Sequence, residues 1–169
     1  MSTTRPTPAH DEKLIDVSEH AKSQYGISAA TATAMRNYGY ALLAIAGADG
    51  KVSPAELRWL VDHQRTFGVP EEILAQYPTF DYKTADLNKL LSGIVTDVKT
   101  WSAAPNLVYH ATQMCGADGV YAGKEKRKVM EAAKAMRVAD DMVLTIQALV
   151  EMEAASGKMR RALFHVDTL

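Results

Sequence analysis

The sequence predicts an all-α fold, a single-domain bundle of about seven to nine helices built from two pseudo-twofold-related repeats. Three observations predict it. Apolar residues recur at three- and four-residue spacing along most of the chain, and no segment alternates at period two for long enough to read as a strand. Glycine and Asp-Gly signals punctuate that periodicity at helix-length intervals. The phrase AGADGKVSPAE at residues 46–56 returns as CGADGVYAGKE at 115–125, an offset of 69 (118 − 49 and 125 − 56).

Residues 1–10, rich in Thr and Pro, are expected to be loose, and the domain to run over 11–169. Leu14, Val17 and Ala21 lie on one face of an expected first helix that Gly26 stops. Ser28 is the expected cap of a second helix, in which Met35, Tyr38, Leu42 and Ile45 share a face. Ala48-Asp49-Gly50 breaks it. Ser53-Pro54-Ala55-Glu56 then starts a third: Ser53 suits the N-cap, Pro54 the first turn, and Glu56 completes a capping box. Leu57, Leu60, Val61 and Phe67 form its apolar stripe, and Gly68 ends it. Pro70-Glu71-Glu72 opens a short fourth helix, and residues 76–84 read as a connector.

The second half reuses this plan. Thr84 leads into a helix whose buried side carries Leu87, Leu90, Leu91, Ile94 and Val98. Ser102 starts the next, with Leu107, Ala111 and Met114 facing inward. Val129, Met130, Ala133 and Met136 mark the helix after the second Asp-Gly turn. Asp140 and Asp141 open another, carried by Met142, Ile146, Leu149 and Val150. Gly157 is expected to interrupt it, and Met159, Leu163 and Val166 to form a last short piece. At the same offset of 69, Tyr40 matches Tyr109, Gly47 matches Gly116, Arg58 matches Arg127 and Val69 matches Val138. The repeats span about 29–76 and about 98–156 and are expected to pack face to face.

Composition excludes several classes. Of the 169 residues, 47% are hydrophobic and 23% charged, as suits one folded core. A net charge of −1 offers no global field for nucleic acid, so no nucleic-acid partner is expected. Cys115 is the single cysteine, which precludes an internal disulfide and leans towards a reducing, cytoplasmic location. The N-terminus lacks a secretory apolar stretch, and the apolar run near residues 40–48 is too short to span a bilayer. No G-x-S-x-G, P-loop, G-x-G-x-x-G or H-E-x-x-H pattern occurs, so no catalytic residue is assigned.

The repeated pattern, with Ala48, Asp49, Gly50, Val52, Ser53 and Glu56 in one copy and Ala117, Asp118, Gly119 and Glu125 in the other, resembles the TerB-like tellurite-resistance family. The second copy departs from it at Tyr121, in place of an aliphatic residue, and at Ala122, in place of the capping Ser. The resemblance covers most of residues 30–155. It implies a small helical protein of stress responses, including resistance to tellurite and other toxic anions. It also implies divalent metal at the acidic positions and protein partners in membrane-associated complexes.

Asp49, Glu56, Asp118 and Glu125 are the candidate metal ligands. One Asp and one Glu per repeat cannot close the shell of a hard cation, but four carboxylates across a pseudo-twofold axis could hold calcium, magnesium or manganese. Residues 49–56 fit the back half of an EF-hand loop, yet its first and third positions fall on Ile45 and Gly47, and on Met114 and Gly116 in the second copy. A standard calcium sensor is therefore excluded. Against metal stands a purely structural reading, in which Asp-Gly makes a turn and Glu56 serves its capping box. His63 lies seven residues after Glu56, on the same helix face. Cys115 and the methionines Met114, Met130, Met136, Met142 and Met152 read as core filling. Lys124, Lys126, Arg127 and Lys128 form a basic run of which half is expected to face water. The leading expectation is a non-enzymatic binding or scaffold domain, tuned by metal. The alternatives are a metal-dependent enzyme using the same acids with His63 as base, and a metal-free interaction module. A homo-oligomer is compatible with all three.

Overall fold

The computed structural model describes residues 12–119, 121 and 123–165. Eight α-helices are present among them: α1 (Glu19–Tyr25), α2 (Ala32–Ala46), α3 (Pro54–Phe67), α4 (Glu71–Leu74), α5 (Leu87–Ser92), α6 (Ala103–Cys115), α7 (Gly123–Ala135) and α8 (Asp140–Phe164). Two single 3₁₀ turns, Tyr77–Thr79 and Tyr82–Thr84, occupy the expected connector. Helix α2 lies at the centre, packed against α3, α5, α6 and α7, while α6 also carries α7 and α8. Leu42, Leu43, Leu60, Leu107, Met114, Val129 and Val143 fill the core. Among the described residues no helix is long and apolar enough to cross a membrane.

Five local expectations are corrected. Leu14–Asp16 is not helix but a strand, β1, paired antiparallel with β2 (Ala29–Thr31). Long-range bonds hold this clasp: Val17 N–H donates to Ser28 C=O, and Ser18 N–H to Phe67 C=O. The Asp97 carboxylate accepts from the N–H groups of Ser28 and Ala29. With Ser28 so engaged, Thr31 becomes the N-cap of α2, accepting from Ala34 N–H at 3.0 Å. The helix foreseen from Thr84 to Val98 ends at Ser92, because Val95, Thr96 and Asp97 pair with residues 29–31. Gly157 does not interrupt α8, which continues to Phe164. The methionines divide: Met114 and Met136 are buried, but Met142 and Met152 are 47% and 69% exposed. Val166 and residues 1–10 lie outside the described residues.

The two Asp-Gly turns share one geometry. Gly50 N–H donates to Gly47 C=O at 2.8 Å, and Gly119 N–H to Gly116 C=O at 2.9 Å. Gly50 and Gly119 take positive φ, 93° and 91°. The ends of α3 and α7 match as well. Val69 N–H reaches Gln64 C=O, and Val138 N–H reaches Ala133 C=O, both closing a Schellman-type stop. In α3 the left-handed residue is Gly68; its counterpart after α7 is Arg137, at φ 59°. A side chain in that region costs about 1–2 kcal/mol, which the greater chain entropy of glycine partly offsets. Arg137→Gly is therefore expected to stabilise the fold by about 0.5–1 kcal/mol. The readout is a higher urea midpoint at unchanged slope.

Candidate functional site

Three helix ends converge beside the first Asp-Gly turn. The C-terminus of α2 offers the Ala46 carbonyl at the negative end of the helix dipole, where a cation is favoured, and the first turns of α3 and α7 carry Glu56 and Glu125, where an anion is favoured. Glu56 is fixed by the expected capping box. Ser53 N–H donates to Glu56 Oε2 at 2.7 Å, and Glu56 N–H donates to Ser53 Oγ at 3.1 Å. Glu56 is 5% exposed. Burial raises its pKa, opposed by the Ser53 bond and by Lys128.

The centre of the group is Lys128. Its Nζ lies 2.7 Å from Glu125 Oε2, 3.8 Å from Asp49 Oδ1 and 3.9 Å from Glu56 Oε1. It donates to Ala46 C=O at 2.8 Å. Burial would lower the lysine's pKa, but the bond to Glu125 and the surrounding negative charge hold it above the ordinary value. Lys128 is thus a buried ammonium (6% exposed) at neutral pH, shared by acids from both repeats. Asp49 also binds Lys124, with Oδ2 at 2.5 Å, and that bond holds its pKa below the usual carboxylate range.

Three of the four proposed ligands therefore meet around one atom, and they meet around a lysine. Donor atoms of Glu56, Cys115 and Glu125 lie within 4.8 Å of one another. Asp118, by contrast, is exposed on the second turn and is not one of those three donors. Burial pushes the Cys115 thiol far up, so it stays protonated. With one Glu56 oxygen held by Ser53 and the ammonium at the centre, this donor set fits an internal cation. A divalent ion would need Lys128 to withdraw.

Reading the residues in isolation misses Lys128, because it sits in a run of four basic residues. One signal was present: it falls on the stripe of Val129 and Ala132, the buried side of α7. His63 is not part of the acidic group. It stacks on Trp59 with centroids 4.6 Å apart and packs 4.3 Å from His110. His110, fully buried, is held at both nitrogens, with Tyr25 Oη 2.7 Å from Nε2 and Tyr38 Oη 2.6 Å from Nδ1. Burial lowers the His63 pKa to about 4 and that of His110 well below 6.5.

No family model and no curated protein matches the chain. Among solved structures, a tellurite resistance protein from Nostoc punctiforme superposes with a TM-score of 0.76 at 22% identity, over 88% of this chain and 92% of that one. Two nearly complete chains with so few identities in common have one backbone architecture, so this protein has the all-α fold of that tellurite resistance protein.

Proposed function

We propose that the chain is a non-enzymatic, TerB-like binding or scaffold module of a cytoplasmic stress response, tellurite resistance included. Its acidic corner would serve as an ionic lock between the two repeats. One observation carries this reading: a single buried ammonium lies within 3.9 Å of carboxylates from both Asp-Gly motifs. Such a lock sets how the repeats stand to each other, and hence the surface offered to protein partners. The titratable groups support a non-catalytic role. Lys128 is held protonated, the Cys115 thiol is held neutral, and both His110 nitrogens are occupied.

The second reading is a divalent cation, calcium, magnesium or manganese, and the convergence of Glu56, Cys115 and Glu125 favours it. Melting curves with and without millimolar metal separate the two, beside elemental analysis of the wild type and an Asp49→Asn, Glu125→Gln variant. The lock predicts a shift below about 2 °C and no stoichiometric metal. A larger rise in the wild type, with metal that the variant lacks, would establish the cation instead. The stress assignment has its own test, growth on tellurite of a strain lacking the gene. Unchanged tolerance would remove it.

A further inference from the structure

Helix α8 is longer than the body that holds it. Val143 and Ile146 are buried, Gln147 donates to Tyr121 Oη at 3.0 Å, and Glu153 accepts from Tyr109 Oη at 2.6 Å. These residues lie towards the side that faces α6 and α7. From Glu151 to Phe164 every residue except Gly157 is exposed. A helical stretch of about 14 residues is marginal in water when nothing packs on it.

The outward face has a pattern of its own. Leu149, Ser156 and Leu163 recur every seven residues, and Thr145, Met152 and Met159 interleave with them. This is the a/d spacing of a helix–helix seam. Leu149, Met152, Met159 and Leu163 are 45%, 69%, 61% and 71% exposed, although soluble surfaces seldom keep such a row bare. Ser156, small and near its middle, permits close approach of a second helix.

Charge selects the occupant. One flank of the seam, at its border with the held side, carries Glu153, whose Oε2 accepts from Tyr109, and, seven residues on, Arg160; the other carries Ala148, Ala155 and Ala162. An antiparallel copy of α8 sets like flanks together. It brings Glu153 opposite Arg160 of the second copy, and the twofold axis makes that pair twice. In the same register Met152 meets Leu163 of the second copy. A register slipped by one heptad would oppose Glu153 to itself. A parallel copy sets the charged flank against the alanine flank and gains no ion pair.

We propose that the exposed half of α8 is an interaction surface for a second copy of this chain, paired antiparallel through Met152, Met159 and Leu163 and ordered by Glu153 and Arg160. The test is sedimentation equilibrium of the full chain up to ~100 µM, a range that detects weak dimers. The mass is expected to approach twice the 18.4 kDa of one chain. Met152→Glu with Met159→Glu should give single chains with unchanged helical circular dichroism. Arg160→Glu should weaken the dimer about tenfold or more, and adding Glu153→Arg should restore it, since the swap exchanges the two charges. The restoration is a readout that a folding defect would not produce. A wild type of single-chain mass at the highest concentration overturns the proposal, and binding of that monomer to anionic vesicles would assign the face to lipid. A dimer indifferent to Arg160→Glu or to the Met pair also overturns it.

Discussion

Replacing Lys128 with methionine is expected to lower stability at pH 7 by about 3 kcal/mol, the cost of removing one partner from a buried ionic group. For a chain of this size that corresponds to a fall in Tm of roughly 6–12 °C. Methionine keeps most of the volume, so the loss isolates the charge. Glu56 and Glu125 would be left close together without the ammonium, and Asp49 would keep its ion pair with Lys124. Glu56, whose pKa burial already raises, then loses the ammonium that opposes the rise, so its folded-state pKa stays above its unfolded value. A raised acid costs stability above that folded pKa, and the cost disappears as the pH falls below the unfolded value. The deficit of the variant relative to wild type should therefore shrink towards pH 5 and below. Adding Glu125→Gln should recover part of it at pH 7. Urea titrations at the two pH values read both effects, and a Lys128→Met protein as stable as wild type would remove the ionic lock.

His110→Phe is expected to cost about 3 kcal/mol at pH 7, because it strands the buried Tyr38 hydroxyl and removes the bond to Tyr25. A neutral imidazole has one donor and one acceptor nitrogen, so one phenol donates to it and the other accepts. Protonation would break one of these bonds within an apolar, aromatic shell. The same burial makes the fold acid-sensitive. His63 and His110 are held below their unfolded value near 6.5, His63 at about 4. Their contribution is complete above pH 6.5 and is lost as the pH falls, since the unfolded chain takes up protons that the folded one refuses. For His63 alone the loss between pH 6.5 and 4 amounts to as much as about 3 kcal/mol. The wild type should weaken across that interval, and His110→Phe should weaken less steeply from its lower start. A wild-type denaturation midpoint constant from pH 6.5 to 4 would show that neither ring is shielded as described.

Much of the fold is legible residue by residue. Ser53 and Glu56 make the foreseen capping box, Gly26 and Gly68 stop their helices with positive φ, and the Asp-Gly turns recur with matched geometry. These features rest on interactions within a turn or two of backbone, and residue types at short spacing determine them. The stripes of α2, α3 and α6 are equally readable, because a helix buries the residues its period brings together. The candidate site is legible only by halves. Asp49, Glu56 and Glu125 stand out through the repeat, but the cation that joins them does not. Lys128 follows three other basic residues, and composition alone reads such a run as a solvated face.

The remaining differences share one cause. Leu14–Asp16 becomes a strand because β2 lies beside it, and residues 94–98 leave the helical pattern because Ala29, Ala30 and Thr31 bind them. His110 becomes an acid-sensitive keystone because Tyr25 and Tyr38 reach it across 85 and 72 residues. By itself the sequence determined the helical class, the two turns, the caps and three of the acids that meet, since local backbone energetics and periodic burial are encoded within a few residues. That those acids close around a lysine from α7, and that a histidine is sealed between two phenols, follows from how the helices pack. Partners in space are selected by packing, and packing joins residues that the chain itself keeps far apart.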